Sequence, residues 1–499
     1  MIYAIYEVKS RKFETCFCLA LNEKLTFVKI LKMKIKFIGA TREVTGSKHL
    51  IITDSGKKIL LDCGMFQGKG METDAANRDL GFEPSEIDYV LVSHAHIDHT
   101  GLIPYIYKNG FTGKVICTPA TKDLCSIMLP DSGYIQELDI KWYNKKLFKQ
   151  GLPRVNPIYT HMDAEQCMKI FVSVPYDEDY KVDEGITVRF TNSGHMLGSA
   201  VVNVTIEENG KVTKVAYTGD VGRPHNRIVK PPVPFPQADI LITEATYGDR
   251  IHEQDRETEL DLYNVINNTC VQRGGKLIIP SFSVGRTQEI VYILNNFYNE
   301  GILPKIDIYV DSPLSVDATE IFKMHKECYN DDIIETMKND PHPFYFDTLH
   351  YVKSAEESKA LNSTKKPCVI ISASGMAEAG RVKHHIANSI EDSRNTIMLV
   401  GYCAPETLGA RIQEKGLHEI SIFGNVHPLN ADIEKIESLS GHGDYIEMGD
   451  FISCQNPDKL RNIFLVHGDY EAQKFYREYL MSKGYSNIQI PKRGDEFYY

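Results

Sequence analysis

From Met33 to about Glu244 the chain breaks into short apolar segments separated by polar punctuation, the pattern of half-buried strands. It predicts strands at Lys34–Ile38, His49–Thr53, Lys58–Leu61, Tyr89–Val92, Lys114–Cys117, Thr187–Phe190, Ala200–Ile206 and Lys214–Tyr217, with helices over Asp123–Gln150 and Ala164–Val172. Several of these apolar runs end on a polar residue, at Asp62, Ser93, Asp220 and Glu244. Side chains at strand ends are delivered into loops by a rigid scaffold, where functional sites collect. A proline-rich stretch, Lys230–Pro236, reads as a stiff surface connection.

After Glu244 the texture changes. Helical stretches at Glu253–Cys270, Thr287–Tyr298, Asp317–Tyr329 and Arg381–Glu391 alternate with the continuous apolar runs Leu277–Ile279, Ile306–Val310, Val369–Ile371 and Ile397–Val400. Continuous runs of this length are expected of parallel strands covered on both faces, so the middle of the chain reads as an α/β domain of its own. Polar, strand-terminated texture returns at Ser440–Tyr445 and Ile463–His467.

Composition narrows the class. The 499 residues are 42% apolar and 25% charged, which is globular and excludes collagen-like or wholly disordered chains. The net charge is −11, so the protein is no general coater of phosphate backbones; nucleic acid would have to be met in a local groove or through metal ions. No apolar run approaches a membrane span. Eleven irregularly spaced cysteines in a chain too long to need staples point to reduced thiols and a cytoplasmic location. Residues 1–32 are unlike the rest, and the alternating strand that opens at Met33 suggests an N-terminal extension or a misassigned start.

The densest chemistry lies in Ser93-His94-Ala95-His96-Ile97-Asp98-His99-Thr100-Gly101. Three histidines and an aspartate within six positions cannot all point one way on a strand or helix. They suit a loop wrapped around a charge centre, and imidazole with carboxylate suits zinc and its neighbours. A glycine-flanked His195 and the strand-terminal Asp220 are weak signals alone, because both are ordinary turn chemistry.

Together these residues resemble the signature of the metallo-β-lactamase superfamily. Glu244-Ala-Thr-Tyr-Gly248, Ser440-Gly-His442 and Leu465-Val-His467-Gly468 resemble the extra motifs of its β-CASP branch of nucleases, and the likeness runs from Met33 to Tyr499. The resemblance implies an αββα sandwich (residues 33–248 and 431–499) with an inserted α/β cap (residues 249–430). It implies two zinc ions per chain, with manganese acceptable to the same ligands: His94, His96 and His195 around one, Asp98, His99 and His467 around the other, and Asp220 bridging. Asp62 would orient a ligand histidine from behind, Asp98 would belong to the catalytic set, and Glu244 with His442 would protonate the leaving oxygen. The activity implied is hydrolysis of RNA phosphodiester bonds, mainly endonucleolytic and on single strands, by water activated between two metals.

Candidate substrate contacts lie in the cap: Arg286 in Ser281-Phe-Ser-Val-Gly-Arg286, Ser374 and Gly375 after the run Val369–Ile371, and Arg381. Helix capping explains the same turns equally well. A small-molecule hydrolase of the superfamily, a DNA-directed β-CASP nuclease and an inactive scaffold paralogue are the alternatives. The first lacks the cap, and the last typically lacks ligands. The second typically has another residue in place of His467. A homodimer is compatible with the sequence. Only 32 residues follow His467, which matches the compact endonuclease members rather than those with a further C-terminal domain.

Overall fold

The computed structural model describes residues 32–499 except 69–70, 253–254, 402, 404–406 and 437–439, together with the strand backbones Glu7–Lys9, Thr15–Leu21 and Lys24–Lys29, which pair antiparallel in that order. The expected extension, residues 1–32, therefore lies largely outside the described residues.

Two seven-stranded sheets form the body. One runs Glu496–Tyr498, Lys34–Gly39, Lys48–Ile52, Lys58–Leu61, Tyr89–Leu91, Lys114–Cys117, Phe171–Ser173; the other runs Tyr180–Asp183, Ile186–Asn192, Ala200–Glu208, Lys211–Tyr217, Ile240–Glu244, Asn462–Val466, Ile488–Gln489. The two-residue strand period divides each apolar run between two cores. Ile51, Ile59, Leu61, Leu91 and Ile116 face the opposing sheet, where Val188, Val202, Val215, Ile242 and Phe464 meet them. Their neighbours Leu50, Leu60, Val90 and Val115 face outward into a helical layer with Ile103, Ile106 and Leu124. On the far side Leu241, Ile463 and Leu465 pack under Met448, Ile452, Tyr476 and Leu480. The result is a four-layer αββα sandwich.

Strand Ile240–Glu244 pairs in parallel with Asn462–Val466, although 217 residues separate their ends, Glu244 and Asn462. Between them is the cap, a six-stranded parallel sheet in the order Leu349–Tyr351, Asp307–Asp311, Cys368–Ser372, Lys276–Pro280, Thr396–Val400, Asp432–Ile436. The domain limits at residues 249 and 430 stand as a proposal, with one amendment. Asp432–Ile436 pairs in register with Thr396–Val400, so the cap sheet continues past residue 430. That strand and Leu349–Tyr351 sit at the sheet edges and are half exposed, which is why no continuous apolar run announced them. Likewise the helix expected over Ala164–Val172 is His161–Cys167, followed by a tight turn and the edge strand Phe171–Ser173. No helix among the described residues is long and apolar enough to cross a membrane.

Candidate metal centre

Strand ends from both sheets converge. Lys58–Leu61 ends at Asp62 and Tyr89–Leu91 runs into the Ser93–Gly101 loop. From the facing sheet come Asp220, three residues past Tyr217, Glu244, and His467, which follows Val466. Because Glu244 lies beside Val466 in the parallel register, Glu244 and His467 emerge next to one another.

The Ser93–Gly101 loop is strapped to the chain after Asp62. Cys63 donates to the carbonyl of His99, Met65 to that of Ile97, and Ser47 to that of Asp98. The approach is so close that a Cβ on Gly64 would fall 1.6 Å from the Asp98 carbonyl oxygen. Gly64→Ala should therefore push Asp98 and His99 out of place, lowering both melting temperature and metal content. A variant with unchanged metal content would show that the loop adapts freely.

Asp62 is fully buried in the left-handed region, φ 56°. Its Oδ1 accepts the Ser93 amide at 2.7 Å, and its Oδ2 accepts the hydroxyls of Ser93 at 2.7 Å and Tyr217 at 2.8 Å. His99 Nδ1 lies 2.7 Å from the same oxygen, so Nδ1 carries the proton and Nε2 faces the centre. His195 is held the same way, with Nδ1 2.9 Å from the Gly441 carbonyl. His467, at φ 46°, places Nδ1 2.9 Å from the hydroxyl of Thr246, which itself donates to the His467 carbonyl at 3.0 Å. Three imidazoles are thus fixed from behind by a carboxylate, a carbonyl and a hydroxyl.

In front, the free atoms gather into two clusters around Asp220. His94 Nε2, His96 Nδ1 and His195 Nε2 approach one another at 3.1 and 3.3 Å. Asp220 Oδ2 lies 3.4 Å from His94 Nε2 and 3.5 Å from His195 Nε2. Asp220 Oδ1 points the other way, 3.3 Å from His99 Nε2, and Asp98 Oδ2 is 3.3 Å from His467 Nε2. Asp220 Oδ1 is buried yet accepts no hydrogen bond. Buried acceptors are normally satisfied, so an oxygen left open toward a ring of imidazoles has the chemistry of a cation site.

The electrostatics agree at the first cluster, whereas at the second burial is outweighed by Asp220 and then Asp98, which raise His99 well above the usual imidazole range. Burial, reinforced by the charge of His99, pushes His94 well below the usual imidazole range; burial and then His442 do the same to His195. Neutral imidazole is the form that binds metal. Burial would raise Asp98, but His99 and then His467 outweigh it and hold the carboxyl at about 2. Burial would raise Asp220 as well, and the surrounding imidazoles keep it ionised.

Beside these clusters lies a third group. Glu244, fully buried, accepts the Val221 amide at 2.5 Å and the Thr246 amide at 3.3 Å, and its carboxylate sits 3.1 and 3.2 Å from His442 Nδ1. His442 Nδ1 is also 3.9 Å from Asp220 Oδ2. Burial opposes the imidazolium, but Glu244 and then Asp220 overcome it and raise His442 to about 9.

The comparisons with known proteins complete this picture. Residues 49–261 match the metallo-beta-lactamase superfamily, 287–412 the Beta-Casp domain and 426–491 the Zn-dependent metallo-hydrolase RNA specificity domain. A ribonuclease of Thermus thermophilus is 33% identical over 440 residues, 88% of this chain and 94% of that one. The chain belongs to the β-CASP branch of the metallo-β-lactamase superfamily. The transcription termination factor FttA of Methanosarcina mazei is 32% identical over 450 residues, 88% of this chain and 67% of that one. A solved structure of a protein of unknown function from Enterococcus faecalis shares the fold, with a TM-score of 0.52 at 13% identity, over 94% of this chain and 100% of that one.

As a superfamily member, the β-CASP protein is a metal-dependent enzyme. Its structure brings together Asp62, His94, His96, Asp98, His99, His195, Asp220, Glu244, His442 and His467 at one edge of the sandwich. The cap residues divide. Arg286 is near the centre: it shares an electrostatic neighbourhood with Tyr247, whose ring is 6.0 Å from that of His442, and with Arg223 and Arg227. It is mostly buried and donates to Glu289 at 2.6 Å. Arg381 is spent within the cap, donating to Asp311 at 2.6 Å and to the Lys353 carbonyl at 2.7 Å. The Ser374 hydroxyl bonds within its own turn to Ala379, and Gly375 lies flat against the half-exposed Phe282 ring. Sequence reasoning missed Ser93, Tyr217, Thr246 and Gly441 as supports of the metal-facing groups. Ser93, Thr246 and Gly441 had a local signal, since each sits inside a motif already singled out, and Tyr217 lies three residues before Asp220. His252 was also missed; its Nε2 lies 3.0 Å from the His442 carbonyl.

Proposed function

We propose that this protein is a zinc-dependent ribonuclease that cuts single-stranded RNA, mainly at internal phosphodiester bonds. The observation that carries the reading is Asp220, whose two oxygens face two separate clusters of imidazoles while His442, paired to Glu244, stands beside them. His94, His96 and His195 with Asp220 Oδ2 would hold one zinc ion, and Asp98, His99 and His467 with Asp220 Oδ1 a second; manganese fits the same donors. Bound there, two divalent ions supply an activated water and charge neutralisation at a phosphate.

The chain's own residues do the rest. Asp62, Gly441 and Thr246 fix the faces of three histidines before any ligand arrives. Glu244 keeps a proton on His442 Nδ1 and stabilises the imidazolium, leaving the Nε2 proton for the departing oxygen. Arg286 lies near Tyr247, Arg223 and Arg227, and each of these arginines is paired to a glutamate (Glu289, Glu447 and Glu259), so an RNA phosphate would meet them by exchanging those pairs. Backbone contact through such a cluster makes cutting fall steeply with salt. The RNA preference rests on the matched RNA specificity domain and on the named activity of the Thermus relative.

The test compares a circular RNA, its linear form and a matched single-stranded DNA, all body-labelled. Cutting of both RNAs and sparing of the DNA is expected. Degradation of the linear RNA alone would establish an exonuclease, and equal cutting of DNA would remove the RNA assignment.

A further inference from the structure

The long helix Pro119–Lys149 starts beside the metal-facing residues and ends far from them. At its start the hydroxyls of Thr118 and Thr121 donate to the Gly198 carbonyl at 2.6 and 2.9 Å, three residues past His195. At 1.5 Å per residue, Lys141 lies about 30 Å further along the helix axis. Past its end the chain folds back along one side of the helix. There Asn144 exchanges two hydrogen bonds of 2.9 Å with the backbone of Val155, and Leu147 is buried. The opposite side is open to solvent.

That open side is basic. The acidic residues of the helix, Asp123, Asp131, Glu137 and Asp139, all precede it. Residues 140–162 hold Lys141, Lys145, Lys146, Lys149 and Arg154 and no acidic residue, in a chain of net charge −11. All five cations are exposed, and none forms an ion pair among the described residues. Between them stand Trp142 and Phe148, 71 and 73% exposed. At about 100° per residue the order around the helix is Phe148, Lys141, Lys145, Lys149, Trp142, Lys146, all within about 160°. Three lysines therefore run down the middle of the face, with an aromatic ring on either flank.

This order selects the ligand. A helix that lies on a membrane keeps its apolar residues in the middle of the face and its lysines at the margins. Here the arrangement is reversed. A line of cations about 12 Å long, flanked by exposed rings, suits a single strand of nucleic acid: phosphates follow the lysines and bases turn aside to stack.

We infer that the face from Lys141 to Lys149 is a second binding site for single-stranded RNA, remote from the metal centre, which holds a strand by its phosphates and by stacking on Trp142 and Phe148. The choice of RNA as the strand rests on the ribonuclease reading above. At about 3.4 Å per stacked nucleotide, the separation from the centre takes on the order of nine nucleotides, so only longer RNAs engage both sites at once.

The test uses the full chain and two single-stranded RNAs, one of about six and one of about thirty nucleotides, either side of that length. The double variant Lys145→Glu with Lys149→Glu should keep the melting temperature and kcat but raise KM about tenfold or more on the long RNA. The effect should vanish on the short RNA, which cannot span both sites. The slope of log affinity against log salt should fall by about two, one for each lost phosphate contact. Trp142, the only tryptophan, reports the stacking directly: the long RNA should quench its emission in the slow His442→Ala background, and the double variant should abolish the quenching. The same charge change on the other sheet, Lys181→Glu with Lys211→Glu, should leave KM and quenching as they were. An unchanged KM on the long RNA, or a long RNA that leaves Trp142 emission untouched, would overturn the inference. So would emission that responds to vesicles of phosphatidylserine and phosphatidylcholine as strongly as to RNA, or to protein concentration alone. Quenching by an RNA that the unaltered chain never cuts would keep the site and remove the ribonuclease reading, whereas cutting without quenching would do the reverse.

Discussion

Asp220→Asn should abolish cleavage and reduce bound zinc from two ions per chain to one or none. The two oxygens of this carboxylate are divided between clusters, Oδ2 toward His94 and His195 and Oδ1 toward His99. An amide of the same shape offers one neutral oxygen and one NH2 group. One cluster then loses its shared anion and faces a donor. The effect exceeds loss of a single ligand, because Asp220 is also the main counter-charge in a pocket of buried imidazoles. A carboxylate shared by two sites couples them, so His467→Ala should lower occupancy of one site selectively, and Asp220→Asn should lower both. Elemental analysis decides. Two zinc ions retained in the asparagine variant would show that the clusters fill independently of Asp220.

His442→Ala should behave in the opposite way, retaining both metal ions and losing about 10²- to 10⁴-fold in rate, the usual contribution of a general acid. Asp220, Glu244 and His442 also lie close enough to hold an ion, but Nδ1 is engaged by Glu244 at 3.1 Å, its nearest approach to Asp220 is 3.9 Å, and the two imidazole clusters have their donors without this ring. Removing one partner of a buried pair generally costs about 3–5 kcal/mol when the remaining charge is left alone. Here Glu244 keeps the amides of Val221 and Thr246, so the stability loss should be smaller than that and the fold retained. Raised to about 9, His442 is cationic at neutral pH, and Glu244→Gln should lower it and move the alkaline limb of the rate profile to lower pH. A His442→Ala protein that loses zinc would make the ring a ligand instead.

The sequence by itself determined what adjacent residues can determine. Period-two apolar runs such as Lys58–Leu61 and Lys114–Cys117 identify strands because alternate side chains must enter two different cores. The His94–His99 cluster is legible because its donors lie within six residues, although only His94 and His96 are in a loop and Asp98 and His99 sit on the one-turn helix Ile97–Thr100. The edge strands Leu349–Tyr351 and Asp432–Ile436 were not legible, since one face of each is wet and the apolar pattern fades there. Arg381 looked available for a ligand because nothing local reveals that Asp311, 70 residues earlier, takes its guanidinium.

Only the tertiary structure decided how the centre is wired. Glu244 and His442 are 198 residues apart, and they meet because the chain leaves and re-enters one sheet on neighbouring parallel strands. Which oxygen of Asp220 faces which histidines, and which nitrogen of His99, His195 and His467 is held from behind, depend on Asp62, Gly441 and Thr246. Those partners are distant in sequence from the rings they hold, so no spacing encodes them. Sequence carries the chemistry of the donors. Their directions are set by two sheets whose strands end at a common edge, where hydrogen bonds across long chain separations fix the rings in place.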